Sequence, residues 1–321
     1  MSLTPDAVAA AARRIAPHVR RTPLFETDVL GPRLAVKAEH LQHTASFKYR
    51  GALARLLALD RAEREAGVIT ASTGNHGIAV ATAGRRLSIP VVVCVGADTD
   101  RAITDRLGRL GAELRRVDSA DCADAEREAR RSGSESGRVF VSPYNDPLVA
   151  AGQGTIAVEL VEQLGEIAWE GVDAVAVAVG GGGLISGIAT WLARSAPEAR
   201  VIGAQPAADA AMATSVEAGR IVEVAARPTL SHSTAGGIEA GALTFDVCRE
   251  RVSEWVRVEE DAIADAVRRM LLDEHQLVEG AAGVALAAAA AYARREPEAR
   301  VAAVSCGARL TPTELESVLA A

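Results

Sequence analysis

The chain has 321 residues, 49% of them hydrophobic, and a formal net charge of −7. This length permits one large core or two unequal domains, so stability requires neither a disulfide nor a structural metal. The net negative charge and the scattered arginines argue against a basic surface for nucleic acid.

The N-terminal residues 1–21 contain no apolar signal core, and Thr4 followed by Pro5 predicts a capped helix. The longest apolar runs, such as 281–293, are rich in alanine, which predicts buried helices and not membrane spans. We therefore expect a cytoplasmic protein. The cysteines form no C-x-x-C pair, which argues against zinc and against a disulfide framework; they are Cys94, Cys122, Cys248 and Cys306.

Lysine is rare in this chain. The 35 basic residues comprise 33 arginines and only two lysines, Lys37 and Lys48. A desolvated lysine amine can lose its proton and form an imine, which a guanidinium cannot do. Both lysines are therefore candidates for chemistry, although Lys37 is predicted to face solvent from a strand.

Short β-branched runs alternate with helix-length segments, which predicts a mainly parallel sheet covered by helices. The predicted strands are 34–37, 68–71, 91–95, 139–141, 174–179, 201–204 and 302–305. The polar, glycine-rich segment 131–138 predicts a loop. No linker or repeat marks a domain boundary.

The segment around Lys48 predicts the start of a helix, with Ser46 as the capping residue and Lys48 in the first turn. The positive end of the helix would favour the neutral amine and lower the lysine pKa. An ordinary amphipathic helix with a lysine reaching into solvent is the alternative.

Two further turns follow predicted strands. Residues 72–77, which read Ser-Thr-Gly-Asn-His-Gly, are typical of a strand-to-helix turn that binds a carboxylate through backbone N–H groups. Residues 180–183 are four glycines before a helix, which indicates a phosphate loop.

The sequence around this phosphate loop does not match the nucleotide-binding patterns. No G-x-G-x-x-G frame fits, because Ser186 stands where the third glycine is needed, and Gln205 replaces the acidic ribose ligand. The chain also lacks a Gly-Lys-Ser/Thr sequence. A phosphorylated cofactor remains.

These motifs together resemble the fold type II pyridoxal 5′-phosphate (PLP) enzymes, in the branch of threonine and serine dehydratases and serine racemase. The lysine motif S-F-K-x-R-G-A, the loop S-[ST]-G-N-H-G and the tetraglycine carry the resemblance, with weaker agreement at 151–155, 236–239 and 278–281. The resemblance implies an α/β fold with two open, mainly parallel sheets covered by helices. A large PLP-binding domain would span 1–66 and 145–321, and a smaller inserted substrate-loop domain 67–144.

The resemblance also implies roles for individual residues. Lys48 would hold PLP as a Schiff base beside Phe47, and Gly237 would flank the ring. The phosphate would bind Gly180, Gly181, Gly182, Gly183 and Leu184, and the 3′-oxygen would bind Asn75. The substrate carboxylate would bind Ser72, Thr73, Asn75 and the amide of His76. Ser305 would meet the pyridine nitrogen, with Cys306 as the alternative, although the family's S-G-G-N lacks its asparagine here.

The implied activity is dehydration and deamination of L-threonine or L-serine, with Lys48 taking the α-proton. A neutral partner at the pyridine nitrogen would favour elimination over transamination. Alternatives are serine racemase, for which Thr73 would supply the second catalytic hydroxyl, 3-hydroxyaspartate dehydratase and a hydroxyectoine-pathway dehydratase. Gln205 and Ala211 stand where metal-dependent members place carboxylates, so no metal is expected. A homodimer is implied; a PLP-binding protein without turnover, or a nucleotide-binding α/β protein, is a different class of hypothesis.

Overall fold

The computed structural model describes residues 2–72, 74–119, 122–225 and 227–320. Its helices and strands alternate along most of the chain. The strands are β1 (Leu24–Thr27), β2 (Leu34–Lys37), β3 (Val68–Ala71), β4 (Val91–Gly96), β5 (Glu113–Val117), β6 (Val139–Phe140), β7 (Ala174–Ala178), β8 (Arg200–Pro206), β9 (Glu254–Val258) and β10 (Val301–Val304).

The helices cover both sheets. They are α1 (Pro5–Ile15), α2 (Lys48–Leu56), α3 (Arg61–Ala66), α4 (Asn75–Leu87), α5 (Arg101–Arg109), α6 (Cys122–Ser136), α7 (Pro147–Gln163), α8 (Gly183–Ser195), α9 (Ala211–Glu217), α10 (Leu243–Arg251), α11 (Glu260–Leu272), α12 (Gly280–Arg295) and α13 (Pro312–Ala320). The predicted cap of α1 is confirmed, because the Thr4 hydroxyl accepts from the amide of Ala7 at 3.2 Å.

The described strands form a six-stranded sheet in the order β1-β2-β10-β7-β8-β9 and a four-stranded sheet in the order β5-β4-β3-β6. Every pair is parallel except β1 with β2. The central strand β7 is Ala-Val-Ala-Val-Ala and buried throughout, as expected of a parallel strand with helices on both faces. The predicted α/β class with two mainly parallel sheets is therefore confirmed.

The four-stranded sheet is built from residues 68–140, which lie inside the predicted smaller domain of 67–144. The larger sheet takes its strands from both sides of that segment. The division of the chain into two domains stays a prediction. No helix among the described residues is long and apolar enough to cross a membrane.

The prediction of a loop at 131–138 is wrong for its first six residues. Helix α6 continues through Ser136, and Gly137 follows it with a left-handed φ of 69°. Arg131 pairs with Glu128 and Glu135 at helical spacing, and such pairs offset the weak helix propensity of the intervening serine and glycine residues.

The prediction that Lys37 faces solvent is also wrong. Its side chain is fully buried, and Nζ donates to Glu159 at 2.7 Å, to Gln163 at 2.8 Å and to the carbonyl of Thr22 at 2.7 Å. Burial lowers the pKa of Lys37, while the Glu159 and Glu39 carboxylates oppose that shift. This lysine is a structural cation with its acceptors in place.

Arg50 completes the same buried network. Its guanidinium donates to both oxygens of Glu39 at 2.8 Å and to both oxygens of Glu159 at 2.7 and 2.8 Å. A buried charge pair of this kind requires such complete pairing to offset its desolvation. Because Arg50 lies two residues after Lys48, the network fixes the first turn of α2.

Candidate active site

The candidate lysine lies where the start of α2 meets the end of β10. The amide of Phe47 donates to the carbonyl of Cys306 at 3.0 Å, and the amide of Ala308 donates to the carbonyl of Ala45 at 3.0 Å. Between these two hydrogen bonds, Ser46 forms an antiparallel bridge with Gly307. Helix α2 begins at Lys48, in the first turn as predicted.

The prediction that Ser46 caps this helix is wrong. The capping position is held by Phe47, and the buried Ser46 hydroxyl has no hydrogen-bond partner in the described part of the chain. Ser46 pairs with Gly307 in an isolated β-bridge, so it belongs to the segment before the helix and not to the helix cap.

The Lys48 side chain projects toward the connection between the two sheets. Its Nζ donates to the carbonyl of Pro143 at 2.9 Å and lies 5.1 Å from the centroid of the Phe47 ring. The residue as a whole is half-buried, but burial of the amine lowers the pKa of Lys48 to about 8. Burial, and not the helix terminus invoked from the sequence, is thus the main cause, and the neighbouring Cys306 and Glu279 act in the opposite direction.

The turn between β3 and α4 contains the predicted carboxylate-binding residues. The Ser72 hydroxyl accepts from the amide of Gly74 at 3.1 Å, and α4 starts at Asn75. The first amides of a helix have no partner within it, so the N–H groups of Asn75 and His76 are available to an anion. Thr73 lies outside the described residues.

His76 is a buried, neutral imidazole. Its Nε2 atom lies 3.1 Å from the carbonyl of Val141. Burial and the nearby Lys48 amine lower the pKa of His76 to about 3. The residue can therefore contribute its backbone amide and its bulk to the site, but its ring carries no charge at neutral pH.

Glu279 is a site residue that the sequence reasoning did not single out. Its buried carboxylate accepts from Asn75 Nδ2 at 2.9 and 3.1 Å and from the backbone amide of Arg309 at 3.0 Å. Burial raises the pKa of Glu279, and these hydrogen bonds oppose the shift. The amide predicted to bind the 3′-oxygen of the cofactor thus meets a carboxylate in this structure.

The four glycines form a tight turn between β7 and α8. A Cβ atom on Gly181 would lie 2.4 Å from the Tyr144 ring, and Gly182 adopts a left-handed φ of 85°. In the part of the chain that the structure describes, the amides of 181–184 donate to no acceptor. They converge at the positive end of a 13-residue helix, which suits a phosphate.

The segment around Thr234 lies across this glycine turn. A Cβ atom on Gly180 would lie 3.0 Å from the backbone of Thr234, and the Thr244 hydroxyl donates to the carbonyl of Gly181 at 2.7 Å. A Cβ atom on Gly237 would meet nothing within 4 Å. Gly237 therefore borders open space, and its place beside the cofactor ring stays a prediction.

Ser305 and Cys306 follow the last residue of β10. Ser305 is fully buried, and its hydroxyl has no partner among the described residues. Burial raises the pKa of the Cys306 thiol well above its ordinary value. The Glu279 carboxylate raises this pKa further, and the Lys48 amine lowers it. The thiol is therefore protonated, and it lies close enough to Lys48 for the ammonium charge to affect its ionisation.

Gln205 stands where metal-dependent members of the resembled family place a carboxylate. Its Nε2 donates to the carbonyl of Val179 at 3.1 Å, and its Oε1 accepts from the amide of Ala213 at 2.7 Å. The described residues contain no group of three or more histidine, cysteine, aspartate or glutamate side chains that could hold a metal ion. The absence of a metal requirement stays a prediction.

These features together fit a phosphorylated aldehyde cofactor. The Lys48 amine, with its pKa of about 8, donates to Pro143, and the adjacent Tyr144 packs on the glycine turn with its unpaired amides. The neutral Cys306 thiol is close enough to affect the pKa of the same amine, and the unpaired Ser305 hydroxyl precedes it in the chain. The phosphate, the carbonyl carbon and the ring nitrogen of such a cofactor would each find a partner of matching chemistry.

Comparison with known proteins gives the same assignment. The profile of a family described as pyridoxal-phosphate dependent enzyme matches residues 15–307. The chain is 37% identical over 290 residues to an L-threonine ammonia-lyase of Thermotoga maritima, covering 89% of this chain and 71% of that protein. It is 36% identical over 282 residues to a beta-hydroxyaspartate dehydratase of Paracoccus denitrificans, covering 87% of each. Processed threonine deaminase isoform 2 of Solanum lycopersicum superimposes with a TM-score of 0.91 at 29% identity, covering 99% of this chain and 94% of that one.

Proposed function

The chain belongs to the family of pyridoxal-phosphate-dependent enzymes, and from that premise we propose that it dehydrates and deaminates a β-hydroxy amino acid, L-threonine or L-serine, to a 2-oxoacid and ammonia. The observation that carries the proposal is the Lys48 amine, whose pKa is lowered to about 8 and which donates to the carbonyl of Pro143, next to the Tyr144 ring that packs on the glycine turn. The family relatives named threonine ammonia-lyase support the reaction class.

The proposed cofactor site uses the residues of three segments. The amides of Gly181, Gly182, Gly183 and Leu184, together with Gly180, would hold the phosphate, and Phe47 and Gly237 would border the ring. When bound, pyridoxal phosphate supplies an electron sink for the charge left at the α-carbon after its proton is removed. The protein's contribution is to hold the reacting groups and to move the protons.

For the pyridine nitrogen, Cys306 is better supported than Ser305. Val304 is in register with Lys37, whose side chain reaches Glu159 and Gln163 of α7. Alternate residues of an extended segment share a face, so Cys306 lies on the face of Val304, and Ser305 lies on the opposite one. The electrostatic interaction of Cys306 with Lys48 agrees with this placement.

The proton transfer is assigned to Lys48. An amine with a pKa of about 8 accepts a proton readily and returns it readily near neutral pH, as a general base and acid must. The carbonyl of Pro143 holds Nζ at 2.9 Å and fixes the direction of the amine before substrate arrives. The Ser72 hydroxyl and the amides of Asn75 and His76 would orient the substrate carboxylate.

Other predictions from the family resemblance remain proposals. They are the two-domain division at 1–66 with 145–321 and 67–144, a homodimer and a cytoplasmic location. Racemisation of serine is the alternative activity that depends most on Thr73, and a hydroxyectoine-pathway dehydratase is a further one.

A substrate panel tests the proposed function. The purified protein, supplied with pyridoxal phosphate, is expected to show a visible absorption band that the protein alone lacks and to release 2-oxoacid from L-threonine or L-serine. Borohydride reduction followed by peptide mass mapping should place the cofactor on Lys48. Lys48→Ala should abolish turnover, whereas Arg85→Gln, at an exposed position in the last turn of α4, should not.

Three results would contradict the proposal. A protein that binds the cofactor covalently but forms no 2-oxoacid from these substrates is not this lyase. Chiral analysis that finds D-serine from L-serine without 2-oxoacid would identify a racemase. Failure of the cofactor to attach to Lys48 would remove the basis of both activities.

A further inference from the structure

Arg309 lies against the turn that precedes α4. A Cβ atom built on Gly74 would be 3.1 Å from an outer guanidinium nitrogen of Arg309 and 3.4 Å from its Cζ and Nε atoms. The backbone amide of Arg309 donates to Glu279, which in turn accepts from Asn75. The side chain is therefore positioned beside the residues that would receive the substrate carboxylate.

The Nε atom of Arg309 is buried and has no acceptor in the part of the chain that the structure describes. The charge of the guanidinium acts on the nearby Glu279 carboxylate, but the two side chains form no hydrogen bond. Arg50, by contrast, has both of its carboxylate partners in place. Because a shielded N–H group without an acceptor is unfavourable, the arrangement is complete only when an acceptor from outside the chain arrives.

The α-carboxylate of an amino acid does not need this arginine. The N-terminal amides of α4 and the Ser72 hydroxyl already form an anion site for one carboxylate. The planar fork of a guanidinium matches a further carboxylate with two parallel hydrogen bonds. The nearby Glu279 carboxylate would repel a second anionic group unless a cation faced it.

We propose that Arg309 is a specificity-determining residue that binds a second, side-chain carboxylate, so that the site also accepts dicarboxylic β-hydroxy amino acids. The catalytic part of this inference rests on the proposed function. Lys48 takes the α-proton, the bond from the β-carbon to its hydroxyl breaks with loss of water, and hydrolysis of the resulting enamine returns water and releases ammonia. With 3-hydroxyaspartate the product is 2-oxobutanedioate.

A binding experiment tests Arg309 without turnover. Succinate and butyrate have the carbon skeletons of 3-hydroxyaspartate and threonine but lack the amino and hydroxyl groups, so neither can react. Succinate is expected to raise the melting temperature of the wild-type protein more than butyrate does at equal concentration and ionic strength. Arg309→Gln should remove the difference between the two, whereas Arg85→Gln should preserve it.

A kinetic experiment tests the same residue in the reaction. Arg309→Gln should lower kcat/KM for threo-3-hydroxyaspartate by about 100-fold and that for L-threonine by less than about threefold, because only the former loses a charged hydrogen-bonded pair. Arg309→Lys should recover part of the loss, since it keeps the charge but not the fork. If Arg309 had a purely structural role, Arg309→Gln would lower kcat/KM equally for both substrates.

The two experiments separate the possible failures. The role of Arg309 would be overturned if Arg309→Gln lost kcat/KM equally for both substrates. It would also be overturned if succinate and butyrate raised the melting temperature of the wild type equally. If succinate is preferred through Arg309 but no substrate yields a 2-oxoacid, the proposed elimination fails while the binding role stands.

Discussion

The carboxylate of Glu279 accepts two hydrogen bonds from the Asn75 amide, at 2.9 and 3.1 Å. Glu279 precedes α12, which packs on the six-stranded sheet, and Asn75 begins α4, which follows a strand of the four-stranded sheet. One buried carboxylate therefore links the elements of both sheets at the candidate active site, and it lies close enough to Lys48 to raise the pKa of that amine.

The first prediction concerns pH. The neutral Lys48 amine is the reactive form, and its pKa of about 8 means that its neutral fraction falls about tenfold per pH unit below that value. The rate at which the apoprotein captures pyridoxal phosphate should rise with pH and level off above about 8. Stopped-flow absorbance measures it, and a midpoint near the ordinary lysine pKa of 10.5 would show that burial does not act on this amine.

The same shift has a consequence for stability. The pKa of Lys48 is lower in the folded than in the unfolded chain, so the unfolded chain holds more protons between pH 8 and 10.5. The contribution of this group to the stability of the apoprotein therefore increases as pH rises through that window.

The second prediction concerns Glu279→Gln. Removal of the negative charge should lower the pKa of Lys48 further and move the midpoint of cofactor capture to lower pH, because Glu279 now stabilises the ammonium form. The glutamine has nearly the same shape, so folding should be preserved. Glu135→Gln, at an exposed site on α6, is the matched control and should leave the midpoint unchanged. A shift to higher pH would refute the electrostatic assignment.

The third prediction concerns the phosphate turn. In Gly181→Ala the new methyl group would overlap the Tyr144 ring, whose hydroxyl is held by the amide of Glu239 at 2.9 Å. Displacement of the turn should raise the dissociation constant for pyridoxal phosphate at least about tenfold. Gly108→Ala, which faces open space within α5, should keep the wild-type constant. Unchanged affinity in Gly181→Ala would place the phosphate elsewhere.

The fourth prediction separates the two lysines. Lys37→Arg must fit a larger group into a fully buried site with fixed acceptors, and should destabilise the fold by about 2–4 kcal/mol. The folded fraction should still show the cofactor band, since Lys37 is not its attachment site. Arg21→Lys, in an exposed ion pair with Glu166, should change stability by less than about 1 kcal/mol. Chemical denaturation measures the free energy of unfolding of both variants. If Lys37→Arg kept its full stability but lost the cofactor absorption band, Lys37 would have a role in the chemistry.

The fifth prediction distinguishes Cys306 from Ser305. Cys306→Ala should shift the cofactor absorption band and weaken cofactor affinity, because the variant removes the group that we propose meets the pyridine nitrogen and that interacts electrostatically with Lys48. Ser305→Ala should leave both nearly unchanged. The reverse pattern would assign the buried Ser305 hydroxyl to the pyridine nitrogen, as the resemblance first implied.

The sequence predicted the parts of the fold that depend on repeated local patterns. Runs such as 91–95 and 174–179 predicted parallel strands because residues buried on both faces must be apolar throughout. The glycine run and the turn at 72–77 predicted anion sites because their chemistry resides in backbone groups. The strands and the anion-binding turns can both be recognised from residues that are neighbours in the chain.

The missed features depend on partners distant in sequence. Glu279 looks like any acidic residue before a helix, and only the fold brings Asn75, 204 positions away, to its carboxylate. Lys37 looks exposed because a lysine at a strand end normally is, yet Glu159 of α7 meets it in the interior. Ser46 could not be excluded as a cap until its pairing with Gly307 was known.

The scarcity of lysine makes this protein naturally suited to single-site labelling. The chain contains two lysines, and one of them is fully enclosed by its acceptors. Lys48 is only half-buried as a residue and Lys37 is fully buried, so a lysine-selective acylating reagent applied to the folded protein is expected to modify Lys48 in preference to Lys37. Pyridoxal phosphate bound as an imine would occupy the same amine, so the extent to which the cofactor protects Lys48 from acylation would measure cofactor occupancy.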